Sequence, residues 1–252
     1  MGKICREPSA AASGNYDLII VGGGIYGVML SLEASKKRLR SLLLERDDFG
    51  GATTFNSLRI LHGGLRYLQG LDLHRFRESV GERRWFMQNF PDLVKPLPCI
   101  MPLYGNGFRR PSIFRLALWA NDLLSFKWHQ GTRTDRRLPN GHVVNTAKTR
   151  EIFPSVDTRG LQGAAVWCDV CMPDSQRLVI EILRWACGQG ATALNYVEAQ
   201  QLIKAKNSVA GVLAYDRETG RAFEYKADVV VNAAGPWCRV RMTTSAGSRL
   251  GV

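Results

Sequence analysis

A chain of 252 residues with 45% apolar composition is long enough to bury one or two ordinary cores, so a globular protein is the expectation. Lys and Arg number 34 against 22 Asp and Glu, and the resulting +12 favours acidic ligands, nucleic acid or an anionic membrane surface over cationic partners. The basic residues are spread along the chain without a zinc-finger, homeodomain or RNA-binding signature, which argues against nucleic acid, and no apolar run reaches the roughly 18 residues that would span a bilayer. Six scattered cysteines and the absence of an apolar signal stretch at the N-terminus fit a reducing, cytoplasmic setting, with attachment to the inner face of a membrane left open.

In chain order, residues 1–15 are small, polar and rich in Ala, Ser and Gly, and read as a loose leader. A strand over 17–21, a glycine turn, a helix over 25–37 and a strand over 41–45 make one βαβ unit, followed by a polar loop to Leu61. Leu73, Phe76, Val80 and Phe86 recur at helical spacing and predict a helix over 73–89, ended by Pro91. Prolines at 91, 96, 98 and 102 are expected to break the chain into extended pieces.

The apolar stretch 113–126 carries Trp119 and the basic flanks Arg109, Arg110, Arg115 and Lys127. It reads as a helix packed in a second domain or one resting on a membrane surface; Asn121 and Asp122 dilute the apolar face and favour packing. A polar linker over 132–145 precedes a helix over 174–188, then a hairpin of 209–215 and 222–226 around Asp216 to Gly220. Residues 228–235 form a continuous apolar run closed by small residues, which suits a buried parallel strand whose C-terminal end faces a ligand.

The turn Gly22-Gly23-Gly24-Ile25-Tyr26-Gly27 matches G-x-G-x-x-G, and each glycine has a mechanical task. Gly22 permits the tight turn off the strand, Gly24 lets backbone approach a pyrophosphate, and Gly27 lets helix and strand pack closely. Phosphates would sit at the helix N-terminus, where free N–H groups and the helix dipole favour negative charge. The second strand ends in Glu45, which would accept hydrogen bonds from ribose hydroxyls and so disfavours the 2′-phosphate of NADP.

With the turn and Glu45, the strings Ser57-Leu58-Arg59-Ile60-Leu61-His62-Gly63-Gly64-Leu65-Arg66-Tyr67-Leu68 and Val231-Asn232-Ala233-Ala234-Gly235-Pro236-Trp237 resemble the FAD-dependent glycerol-3-phosphate dehydrogenases. These are members of the D-amino-acid oxidase-like flavoproteins. The resemblance implies an α/β fold, with a Rossmann-like FAD-binding domain interleaved with an incomplete α+β substrate domain. It would place the first part of the FAD domain over 16–92, a substrate or cap segment over 93–165, the second part of the FAD domain over 166–237 and an atypical tail over 238–252.

The same resemblance implies that Gly22, Gly24, Gly27 and Glu45 hold the ADP half of FAD, with Thr53, Thr54, Ser57 and His62 along the flavin. Val197 matches the position whose backbone meets the adenine, and Ala233, Ala234 and Gly235 match a strand end passing close to the cofactor. Arg66 and Tyr67 would face the substrate, and with His62 they are the candidate catalytic residues; Asp174 and Arg177 match an acidic-and-arginine pattern before a helix. A fixed guanidinium suits a small anionic donor, and histidine is the side-chain type whose ordinary change of charge falls near neutrality. Glycerol 3-phosphate or a related polyol phosphate is the implied donor, with quinone or oxygen as acceptor; an amino-acid or 2-hydroxy-acid oxidase, an NAD-dependent enzyme and an inactive nucleotide-binding fragment are the alternatives.

Cys168-Asp169-Val170-Cys171 lacks the further ligands zinc needs and the helix start a redox pair needs, so no metal site is expected. Two departures from the family stand out. It has two serines and a lysine where this chain has Ser57-Leu58-Arg59, and it continues well beyond the strand ending at Gly235. Residues 238–252 show no apolar periodicity where a packed helix is expected after Gly235-Pro236-Trp237, which points to a truncated or frame-shifted product of a longer gene.

Overall fold

The computed structural model describes residues 2–65, 67, 70, 72–105, 110–125, 138–205, 208–238 and 243–244. By its internal contacts the chain divides into two units, one made of residues 1–57 and 174–252, the other of residues 58–173. The divisions implied by the resemblance fall instead at 92/93 and 165/166. The contacts differ because the helix over 73–89 and the strand over 163–171 both pack within the second unit.

In the first unit, β1 (Asn15–Val21), α2 (Ile25–Lys36) and β2 (Ser41–Leu44) form the expected βαβ, preceded by a short α1 (Pro8–Ala12). After the second unit come α6 (Ser175–Gly188), β7 (Thr192–Leu194), β8 (Val197–Ala205), β9 (Ser208–Asp216), β10 (Arg221–Asn232) and β11 (Thr243–Thr244). Among the described residues these strands form one seven-stranded sheet in the order β11-β8-β9-β10-β1-β2-β7. The run β10-β1-β2-β7 is parallel, whereas β9 is antiparallel to both neighbours.

One face of this sheet is covered by α2 and α6, which pack on each other and bury Val28, Leu32, Leu178, Val179, Ile182 and Leu183. The other face buries Tyr16, Ile19, Leu42, Leu44, Leu202, Val212 and Tyr225 in a core that α1 joins through Ala11. Ile19 and Val21 on β1 and their register partners Leu42 and Leu44 on β2 share this face, since alternate side chains on a strand point the same way.

Three expectations for this unit are corrected. The leader is docked: Gly2 N–H donates to the Arg184 carbonyl at 3.1 Å, Arg6 pairs with Asp216 and with Glu218, and the Tyr225 hydroxyl donates to the Pro8 carbonyl at 3.3 Å. Its small residues allow this close approach, and Arg6 supplies a charge for the buried Asp216. The hairpin arm and the later apolar run are one twelve-residue strand, β10, antiparallel to β9 in its first half and parallel to β1 in its second. That second half is less buried than its composition suggests, with Val229 51% exposed.

The second unit holds β3 (Ile60–Leu61), α3 (Leu73–Asn89), β4 (Lys95–Leu103), α4 (Pro111–Ser125), β5 (His142–Val144), α5 (Thr146–Ile152) and β6 (Gly163–Cys171). Its sheet is antiparallel and centred on β6, with β4 along one side and β3 and β5 at different heights on the other. The prolines do not fragment β4, which runs unbroken for nine residues. Pro96, Pro98 and Pro102 share one parity, so the N–H each lacks would have faced the open edge rather than β6.

The linker expected over 132–145 is in part β5, with Leu138 buried; residues 132–137 lie outside the described set. Phe76, Val80, Arg83 and Phe86 form the buried face of α3, whereas Leu73 is 45% exposed at its first turn, and the Asp72 side chain accepts the Arg75 N–H as cap. Phe114 and Leu118 of α4 pack on Leu103 and Ala165, while Ile113, Leu116 and Trp119 are exposed beside Arg110 and Arg115. No helix among the described residues is long and apolar enough to cross a membrane. Cys168 and Cys171, three apart on β6, point to opposite faces of the sheet, which explains the C-x-x-C spacing without a shared ligand.

Candidate functional site

The glycine turn leaves the C-terminal end of β1, where β1 lies between β2 and β10 and the chain order of the strands reverses. Such a switch point opens a crevice beyond the strand ends, the usual ligand position in a sheet of this kind. Gly22 sits at φ +113, and a Cβ there would lie 2.6 Å from the Ala233 carbonyl oxygen. Ala233 in turn donates its N–H to the Val21 carbonyl at 2.8 Å, so the strand end Ala233-Ala234-Gly235 runs directly beside the turn.

Gly27 faces a harder limit, because its Cβ would fall 1.9 Å from the Gly22 carbonyl oxygen. Gly24 is different. It caps α2 in an extended conformation, and among the described residues beyond its chain neighbours only Thr54 Oγ1, at 3.3 Å, comes within 4 Å of a Cβ added there. Among the described residues the N–H groups of Gly24, Tyr26 and Gly27 have no hydrogen-bond partner, while the Ile25 N–H donates to Thr54 Oγ1 at 3.0 Å. Free donors, the positive end of α2 and open space over Gly24 together fit a pyrophosphate.

Glu45 flanks the turn on the β2 side. One carboxylate oxygen accepts the Gly23 N–H at 2.6 Å and the other the Asp47 N–H at 2.9 Å. A carboxylate has about four lone-pair sites, so both oxygens keep capacity for ribose hydroxyls while holding the loop in shape. Val197 is brought to the same place: its N–H donates to the Glu45 carbonyl at 2.8 Å as β8 begins. That bond commits the Val197 N–H internally.

The loop after β2 is tied back onto the turn, with the Gly50 N–H on the Gly23 carbonyl at 2.9 Å and Thr54 on Ile25. Thr53 and Ser57 are exposed, and the Ser57 hydroxyl donates to the Thr54 carbonyl at 3.0 Å. Asp174 is the cap of α6, accepting the Arg177 N–H at 2.9 Å, and the Arg177 side chain pairs with Glu181 at 2.7 Å. The acidic-and-arginine pattern is thus accounted for by helix capping.

In the second unit, His62 follows β3 and is exposed, with its ring 5.8 Å from that of Tyr67 in an edge-on arrangement. The Tyr67 N–H donates to the Gly64 carbonyl at 2.8 Å. Arg66 lies outside the described residues. The glycines after His62 are explained by α3: a Cβ on Gly63 would meet Arg83 Nη1 at 2.0 Å, and Gly64, at φ +78, lies against the backbone of Phe76.

Sequence reasoning missed Asp169 and Arg83. The Asp169 carboxylate, buried on β6, accepts the Gly63 N–H at 2.7 Å and the Trp167 indole N–H at 3.1 Å, and pairs with Arg83 Nη1 at 3.3 Å. Burial pulls the Arg83 guanidinium below its usual value, against the opposing pull of Asp169. The signal was a charged residue on the apolar face of a helix, opposite two adjacent glycines. Leu58, which stands where the family has a hydroxyl, is 87% exposed, and Arg59, at φ +56, is held by donating from its guanidinium to the Pro173 carbonyl at 2.9 Å.

The parallel strands, the glycine turn at their switch point and the carboxylate on the next strand define a dinucleotide-binding α/β protein. Residues 17–251 match the family model DAO, FAD dependent oxidoreductase, and the chain belongs to that family. Glycerol-3-phosphate dehydrogenase of Synechocystis sp. is 33% identical over 225 residues, 88% of this chain and 39% of that protein. Alpha-glycerophosphate oxidase of Streptococcus pneumoniae is 34% identical over 237 residues, 92% of this chain and 38% of that one. The crystal structure of glycerol-3-phosphate dehydrogenase from Bacillus halodurans complexed with FAD matches with a TM-score of 0.67 and 26% identity, covering 91% of this chain and 36% of that one. The chain therefore spans less than two-fifths of the length of these relatives.

Proposed function

We propose that this chain binds FAD and belongs to an oxidoreductase that takes hydride from a small anionic donor bearing a CH–OH group, glycerol 3-phosphate or a related polyol phosphate. The observation that carries the cofactor half is the open space over Gly24 beside free helix N–H groups, in a turn held by Glu45 at Gly23 and by Ala233 at Gly22. The donor half is supported by the two relatives, whose names specify glycerol 3-phosphate dehydrogenation and glycerophosphate oxidation.

Bound flavin supplies the hydride acceptor. The residues of this chain then have separate tasks. Gly24, Tyr26 and Gly27 N–H groups bind the pyrophosphate, and Glu45 binds the ribose. Arg66 holds the anionic group of the donor, Tyr67 orients it, and His62 takes the proton of the donor hydroxyl as its C–H bond breaks. Two electrons leave with the hydride, and quinone or oxygen is the class of terminal acceptor.

An absorbance spectrum of the purified chain tests this. Bound FAD gives a yellow protein whose flavin bands bleach anaerobically on adding glycerol 3-phosphate. A colourless chain that also fails to take up added FAD overturns the cofactor assignment. A yellow chain that is bleached by an amino acid or 2-hydroxy acid but not by glycerol 3-phosphate overturns the donor assignment alone.

A further inference from the structure

We infer that Asp169, backed by Arg83, is a positioning residue that sets the His62-Gly63-Gly64 turn and through it the His62 ring; this rests on the proposed role of His62. Three donors converge on one buried carboxylate: the Gly63 N–H at 2.7 Å, the Trp167 indole N–H at 3.1 Å and Arg83 Nη1 at 3.3 Å. Arg83 also donates to the Cys168 carbonyl at 3.4 Å, which ties α3 to the central strand. Both charged residues are more than nine-tenths buried, Arg83 at 9% and Asp169 at 8% exposure.

The arrangement constrains position rather than merely filling space. An ionised carboxylate accepts several hydrogen bonds and donates none, so it is the side chain that matches three donors at once. The guanidinium of Arg83 occupies the space where a Gly63 side chain would be, and its partner Asp169 accepts the Gly63 N–H, so the pair holds the turn by steric contact and by a hydrogen bond. His62, the next residue back, is exposed and has the Tyr67 ring as its aromatic neighbour. Its direction is thus set by backbone anchored at Gly63. Hydrogen bonds to a buried charge count for more than neutral ones, and orientation errors near an ångström at a reacting group lower rates steeply.

The test uses the full chain with Asp169→Leu and Asp169→Leu/Arg83→Met. Leucine is close to aspartate in shape and has no acceptor, so the Gly63 N–H loses its partner, and the double variant also removes the guanidinium that would otherwise be left buried and unpaired. Amide exchange at Gly63 is expected to accelerate about ten- to a hundredfold in Asp169→Leu. The His62–Tyr67 ring contact, read by NMR, is lost with it. In the FAD-loaded chain, the single variant binds flavin as before and loses turnover by about a hundredfold.

Unchanged Gly63 exchange and an unchanged His62–Tyr67 contact in folded Asp169→Leu overturn the inference. If Asp169→Leu does not fold alone, the double variant decides: unaltered Gly63 protection and ring contact relative to Arg83→Met overturn it, and faster exchange supports it. These readouts need no flavin, so a chain that binds no FAD removes the proposed role of His62 and leaves the anchoring of its turn to be decided by the exchange rates.

Discussion

Gly24 and Gly27 lie one helical turn apart, yet a methyl group meets very different surroundings at each. At Gly27 it would fall 1.9 Å from a backbone carbonyl oxygen, which cannot move without unmaking the β1-to-α2 turn. At Gly24 it would touch Thr54 Oγ1 at 3.3 Å, and the backbone there, at φ −74, suits alanine. Gly27→Ala is therefore expected to cost at least about 2 kcal/mol of stability, read from urea unfolding. Gly24→Ala is expected to stay within about 1 kcal/mol of the parent while losing bound FAD, because the methyl occupies the space a phosphate needs. Equal destabilisation by both would sink the distinction between packing and ligand approach. The spacing G-x-G-x-x-G was enough to assign Gly27 its packing task in advance, since that task follows from backbone geometry. The Asp169 anchor was not legible, because no sequence spacing links a residue on β6 to a turn more than a hundred positions earlier.

Elements were legible where one face alone decides them, as for α3, whose predicted and observed bounds agree. They were misread where a distant partner supplies the order. The leader looked loose because its own residues carry little apolar surface. Its order comes from Arg6, which pairs with Asp216 and Glu218 and donates to the Asn195 carbonyl at 3.0 Å. Burial raises the Asp216 carboxyl, but hydrogen bonds from Thr219, Arg6 and the Glu218 N–H outweigh it, so the group sits below its usual value. A carboxyl depressed in the folded state contributes stability that is fully present above its unfolded pKa of about 4 and is lost as pH falls through the folded value. Arg6→Ala removes part of that depression. The gap in urea midpoint between the parent and Arg6→Ala should therefore be widest near neutrality and shrink as the pH drops below about 4. A gap that stays constant into strong acid would show that Arg6 acts through packing and not through the Asp216 charge.

At the scale of the whole molecule, the residues assigned to the ADP half of the cofactor, Gly22, Gly24, Gly27, Glu45, Val197 and Ala233 to Gly235, all belong to the first unit. His62 and Tyr67 belong to the second. A ligand that binds only the folded form stabilises what it touches by mass action, about 2.7 kcal/mol at a hundredfold excess over its Kd. ADP carries the pyrophosphate and ribose that the first unit is proposed to hold and lacks the isoalloxazine ring. Hydrogen exchange with and without ADP is thus expected to slow in β1, the start of α2, the loop from Glu45 to Thr54 and the end of β10. The His62-to-Tyr67 segment and the core amides of β6 and α3 should exchange at unchanged rates. Two outcomes would overturn this: no protection around Gly22 to Gly27, which would remove the nucleotide from the first unit, or equal protection of β6 and α3, which would mean that the two units unfold as one cooperative body and share every ligand's stabilisation.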